Sequence, residues 1–162
     1  MPVTTTRTLP AAILREVQKA VIGKDLVLTK VLLAFLAGGH VLMEDMPGVG
    51  KTTLAMAFSK ALGLNCRRVQ FTPDVLPSDL TGFSVYEKNT GTFVFQPGAL
   101  FCHLLLADEI NRTSSKTQAA LLEAMEESNV TVEGKTYALP RPHLVIATQN
   151  PVEMEGTFPL PE

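Results

Sequence analysis

Apolar positions recur along the chain at two spacings, and the change from one to the other divides it into elements. Ile13, Leu14, Val17, Ala20 and Val21 follow one another at helical intervals, and Gly23 is placed to end that helix. Asp25 can cap a second helix through Leu26, Leu28, Val31, Leu32 and Phe35, which Gly38-Gly39 then breaks. This second helix is apolar almost all round, which predicts burial on more than one side. Four short runs then read as buried strands: 41–44, 66–71, 104–107 and 144–148. Helical stretches lie between them at 51–62, stopped by Gly63, and at about 116–128. Strands that alternate with helices predict an α/β fold, a parallel sheet flanked by helices on both faces.

Two segments interrupt this alternation with the period of β-hairpins. Phe83 to Tyr86 and Thr92 to Phe95 flank the turn signal Asn89-Thr90-Gly91. Val130 to Val132 and Thr136 to Leu139 flank Glu133-Gly134-Lys135. Both are expected as insertions projecting from one edge of the sheet. Residues 1–8 are expected to be a flexible terminus.

Composition narrows the class. The chain has 162 residues, 46% hydrophobic and 19% charged, with a formal net charge of −2. Such a chain buries a real core and is not disordered. No basic block or stripe points to nucleic acid. The longest apolar run, Val31 to Gly39, stops at His40 and falls short of the roughly 20 residues of a membrane span. The N-terminal residues carry no apolar signal core. Cys66 and Cys102 lack metal-site spacing and read as thiols in a reducing, cytoplasmic setting, with a disulfide as the alternative. His40, His103 and His143 each precede a strand, at the end of a parallel sheet opposite the usual ligand crevice, so a metal cluster is not expected there.

The chemistry concentrates at three strand ends. After the first strand comes Pro47-Gly48-Val49-Gly50-Lys51-Thr52-Thr53, which opens a helix. Glycines let successive backbone N–H groups converge on one phosphate, and the helix adds the positive end of its dipole. Lys51 would reach the β- and γ-phosphates and the Thr52 hydroxyl would ligate Mg²⁺. Asp45 stands where the consensus has its first glycine. The third strand ends in Asp108-Glu109. Asp108 would hold Mg²⁺ through water, and Glu109 would orient or deprotonate an attacking water. The fourth strand ends in Ala147-Thr148-Gln149-Asn150-Pro151, where the Asn150 amide would meet both the γ-phosphate and the water; a plain Asn-Pro turn is the alternative. One strand lies between the two phosphate-site motifs in sequence, and no Asn-Lys-x-Asp guanine reader occurs, so ATP is favoured over GTP.

These motifs carry a resemblance. Stretches 40–53, 68–74, 76–82, 95–98, 107–112, 121–127 and 156–162 resemble, in order, the MoxR group of AAA+ ATPases. Thr113-Ser114-Ser115 departs from the alanine and prolines common there. The resemblance implies an ATP-driven ring, usually a hexamer, acting as a chaperone in metal-cofactor insertion or complex assembly, often with a von Willebrand factor A domain partner. It makes Asn150 the sensor 1 residue. It also likens Gly82 to Gly98 to the helix-2 insertion, and Val130 to Leu139 to the hairpin before sensor 1. In related rings such insertions face the pore or the substrate.

Family members continue beyond the position of Glu162 with a fifth strand, an arginine finger and a helical lid. Residues 9–162 are therefore expected to be a partial core. An arginine supplied in trans contributes roughly 10³–10⁵ in rate, so weak hydrolysis is expected of this piece alone. Two other readings stay open. One is a nucleotide-dependent binding module without turnover. The other is a ring ATPase acting on DNA or transcription, although the Gly-Ala-Phe-Thr-Gly-Ala loop of that class is absent.

Overall fold

A computed structural model describes residues 5–44, 50–149 and 157–160. Four strands, β1 (Val41–Glu44), β2 (Cys66–Gln70), β5 (Leu104–Asp108) and β8 (Leu144–Gln149), form one parallel sheet in the order β1-β8-β5-β2. The four expected strands are all present to within a residue or two. Their burial divides by position in the sheet. Central β5 is buried throughout and β8 nearly so, which matches their unbroken apolar runs. The edge strands are more open: β1 alternates between half-buried and exposed positions, and β2 exposes Arg67, Arg68 and Gln70.

Side chains alternate across the sheet and build two cores. Leu104, Leu106, Leu144 and Ile146 face α1 (Thr5–Gln18), α2 (Asp25–Leu36) and α3 (Lys51–Leu62), where Val17, Leu28, Leu32, Leu54 and Phe58 meet them. Leu105, Ala107, Val145 and Ala147 face the other way. They meet Leu80 of the short helix α4 (Pro77–Thr81) and Leu121 and Ala124 of α5 (Ser115–Glu127). Helix α4 had no counterpart in the periodicity, being too short to show one. Asp79 stabilises its start by accepting from the Leu76 N–H at 2.9 Å.

The first two helices depart from expectation. Helix α1 starts at Thr5, inside the stretch expected to be flexible, and ends at Gln18, ahead of Gly23. A tighter turn follows, in which the Ala20 and Val21 N–H groups both donate to the Val17 carbonyl, and it keeps Val21 in the core. Helix α2 is buried on one side only. Leu28, Val31, Leu32 and Phe35 are covered, while Leu26, Leu33 and Leu36 are 68%, 61% and 57% exposed. The sheet offers α2 a single face, and α1 covers only part of the rest. Asp25 is the first helical residue and not the cap. Its carboxylate accepts from Gln18 Nε2 at 2.9 Å, placing negative charge at the helix N-terminus.

Both hairpins form, as separate two-stranded sheets: β3 (Gly82–Glu87) with β4 (Thr92–Pro97), and β6 (Asn129–Val132) with β7 (Lys135–Ala138). The tight turn of the second runs through Glu133 and Gly134, both at positive φ. They were expected at a sheet edge. Instead their roots, through Leu80, Val130 and Leu139, enter the core on the α4/α5 face. There Phe95 stacks on Tyr137 with centroids 3.9 Å apart, joining the two insertions. At the root of the first, Gly82 and Gly98 let two backbone segments touch. A Cβ on Gly98 would stand 2.3 Å from the Leu80 carbonyl oxygen.

Candidate nucleotide site

The carboxyl ends of β1, β8 and β5 lie side by side at one end of the sheet. At the end of β1, Gln149 Nε2 donates to Glu44 Oε1, tying that strand to β8. Gly50 then adopts a left-handed conformation (φ 76°) that any larger residue would find strained, and its carbonyl accepts the first bond of α3, from the Leu54 N–H at 2.9 Å. Lys51, Thr52 and Thr53 form the first turn of α3. Pro47, Gly48, Val49 and Asn150 lie outside the described residues.

Asp108 and Thr148 occupy the positions two beyond Leu106 and Ile146, so both side chains share the face of the sheet that α3 covers. Both are enclosed, at 7% and 1% exposure. The Thr148 hydroxyl donates to Asp108 Oδ1 at 3.3 Å and accepts from the Glu109 N–H at 2.9 Å. One hydroxyl thus sets the distance between the two acids' backbone and side chain. Asp108 Oδ2 accepts from Arg68 Nε at 2.7 Å. Glu109 has a left-handed backbone (φ 58°), and its Oε2 pairs with Arg112 Nη1 at 3.1 Å.

Behind the acids, the 3₁₀ turn Ile110–Arg112 is pinned by buried Gln118, whose amide donates to the Ile110 and Thr113 carbonyls. The Phe158 N–H donates to the Asn111 carbonyl at 2.6 Å, and Leu160 packs on the core beneath. This support makes the strained Glu109 backbone sustainable.

A cavity of about 730 Å³ opens beside Lys51, between the end of β1 and the start of α2. Lys24, Asp25, Val27, Lys30, Glu44 and Lys51 line it. Its size is that of pockets for drug-sized ligands, roughly 300–1,000 Å³. The α2 wall of this cavity was missed from the sequence, where Gly23 read only as a helix stop; a chain reversal opposite the phosphate-loop strand was the available signal. Arg68 and Thr148 were also missed as site residues. Arg68 follows from strand register, since Gln70 pairs with Asp108 and Arg68 lies two residues back on the same face.

Magnesium prefers hard oxygen donors and keeps much of its water. The donor set here fits it: the Asp108 carboxylate, whose Oδ2 already accepts from a guanidinium cation, and the Thr52 hydroxyl at the start of α3. The histidines are absorbed elsewhere. His40 accepts from the Val145 N–H at Nδ1 and so donates from Nε2 to the Met125 carbonyl. His143 Nδ1 donates to the Cys102 carbonyl, and His103 Nδ1 meets Asn65 Oδ1. Burial, with His40 and His103 adding to it against the Cys102 bond, lowers the His143 pKa. Among the described residues no group of three or more metal-ligating side chains is found. Cys66 and Cys102 are free thiols, and burial raises the Cys102 pKa to about 11. No helix among the described residues is long and apolar enough to cross a membrane.

Residues 40–162 match the AAA_3 family, the ATPase family associated with various cellular activities (AAA). The chain is 55% identical over 147 residues to the uncharacterized protein YeaC of Bacillus subtilis, covering 91% of this chain and 46% of that protein. It is 44% identical over 155 residues to the chaperone MoxR1 of Mycobacterium tuberculosis, covering 96% of this chain and 41% of that one. A crystal structure from Cytophaga hutchinsonii, provisionally designated an ATPase, superposes with a TM-score of 0.80 at 42% identity, covering 96% of this chain and 47% of that one. The chain therefore spans somewhat under half the length of the relatives it matches. From fold, site and relatives together, the chain belongs to the MoxR family of AAA+ ATPases.

Proposed function

We propose that this chain binds ATP with Mg²⁺ and contributes to its hydrolysis. The supporting observation is the Asp108–Thr148–Glu109 arrangement, on the face and at the end of the sheet where α3 begins with Lys51. In this reading backbone N–H groups from 48–53, set in shape by Pro47, Gly48, Val49 and Gly50, cradle the phosphates together with the Lys51 amine, and Thr53 extends the turn. Thr52 and Asp108 would hold Mg²⁺, which would supply positive charge to offset that of the phosphates. Glu109 takes the proton of the attacking water, and Asn150 orients that water against the γ-phosphate. The nucleoside end of ATP lies in the cavity walled by Lys24, Val27 and Lys30.

The name of one relative, chaperone MoxR1, supports a chaperone-like remodeller. Its action in the cytoplasm, on metal-cofactor insertion or complex assembly, is proposed from the family resemblance. A ring, usually a hexamer, with a von Willebrand factor A domain partner is what the family resemblance adds to this reading. A binding module without turnover is the second reading, favoured by the Arg112 guanidinium, which occupies Glu109 Oε2 at 3.1 Å. Calorimetry of Mg²⁺–ATP binding to the chain and to Lys51→Ala tests the nucleotide site; equal affinities would refute it. Phosphate release above background that Glu109→Gln abolishes establishes turnover, and its absence favours the module.

A further inference from the structure

Strand β2 presents two arginines at adjacent positions, and they leave the sheet on opposite faces. Arg67 donates to the Gly98 carbonyl at the root of the β3–β4 hairpin, at 2.9 Å. Arg68 crosses to the site face, where its Nε lies 2.7 Å from Asp108 Oδ2 and its Nη2 lies 3.5 Å from Gln70 Oε1. The two ends of the ion pair differ in exposure: the Arg68 side chain is 54% exposed and that of Asp108 only 10%. The other oxygen of Asp108 is taken by Thr148. The acid assigned to magnesium is thus already matched by a cation of the chain's own.

We propose that Arg68 is a positioning residue for magnesium loading: it holds Asp108 Oδ2 while the site is empty and yields it when Mg²⁺ arrives with the nucleotide. This rests on the nucleotide reading of the same site. An enclosed carboxylate without a counter-charge is unfavourable, so a cation beside Asp108 holds its Oδ2 in place while the site is empty. A guanidinium and a divalent ion repel one another at close range, so the two compete for one oxygen. Loading is therefore an exchange of cations. Arg68 is suited to leave, since half of it is already in water and Gln70 offers an acceptor on the same face. Arg112 cannot do the same, being engaged with Glu109.

The test is ATP affinity in Mg²⁺ and in EDTA, by calorimetry, for the wild-type chain, Arg68→Gln and Arg68→Lys. Removing the competing cation is expected to raise the Mg²⁺-over-EDTA affinity ratio about three- to tenfold in Arg68→Gln. Arg68→Lys keeps the charge without the fork and is expected to fall between it and wild type. A ratio unchanged or lowered in Arg68→Gln overturns the proposal. A wild-type measurement guards against variants that fail to fold. The Arg68 Nε–H resonance is expected to move on adding ATP with Mg²⁺ and to stay put with ATP in EDTA; a resonance indifferent to Mg²⁺ overturns the proposal as well. If wild type binds ATP no better than Lys51→Ala, the nucleotide reading itself fails and takes this one with it. An unchanged ratio alongside Lys51-dependent binding sinks the exchange alone.

Discussion

Replacing Thr148 by valine removes one oxygen from the interior and changes the shape of the side chain very little. That oxygen is the acceptor for the Glu109 N–H at 2.9 Å and a donor to Asp108 Oδ1 at 3.3 Å. Thr148 is 1% exposed, so water cannot take its place without opening the strand ends. An orphaned buried donor costs about 1–3 kcal/mol, and the longer bond to the carboxylate adds to it. The extra methyl of valine returns at most about 0.8 kcal/mol. The net expectation is a loss of about 1–3 kcal/mol, or about 2–12 °C in Tm for a chain of this size. Thr148→Ser keeps the hydroxyl and gives up one methyl, so it is expected to cost about 1 kcal/mol. Thermal and urea unfolding of both variants supply the comparison. A valine variant as stable as wild type, or a serine variant as damaged as the valine one, would refute the view that the hydroxyl supports both acids.

Three further expectations follow from the fold. Gly98→Ala would push its Cβ to 2.3 Å from the Leu80 carbonyl, backbone against backbone, and is expected to destabilise by about 2–3 kcal/mol in urea unfolding, with faster proteolysis of the first hairpin. On α2, Leu33→Lys is expected to stay within about 0.5 kcal/mol of wild type, while Leu32→Ala loses about 2–5 kcal/mol; equal losses would mean that α2 is buried on both sides. Buried His143 has a lowered pKa, so below about pH 6.5 the unfolded chain takes up a proton that the folded chain refuses. Stability is therefore expected to fall as pH drops from there toward the folded pKa, and His143→Gln should flatten that part of the Tm-against-pH curve.

Much of this was legible in the sequence because it is local. Strands β5 and β8 were runs of apolar residues, and each hairpin carried its own turn residues, so neither needed knowledge of the rest. The order β1-β8-β5-β2 was not legible, because it is decided by which strands bury two faces; only the unbroken apolar character of β5 and β8 hinted at their central place. Helix α2 misled for a related reason. Its apolar side chains describe what could be buried, and the surroundings decide what is: Leu33 and Leu36 meet no partner among the described residues that covers them. At the site, Asp108, Glu109 and Lys51 stood out through their motifs. Arg68 and Thr148 did not, since each matters through a residue some 40 positions away, reached only by the register of parallel pairing.

The ring stack of Phe95 on Tyr137 has a mechanical meaning. It welds two excursions of the chain that leave the core before and after β5, so neither can swing without dragging its neighbour. Whatever tilts the loop beside β8 tilts the other paddle too, and a fluorophore on one tip therefore reads the attitude of both.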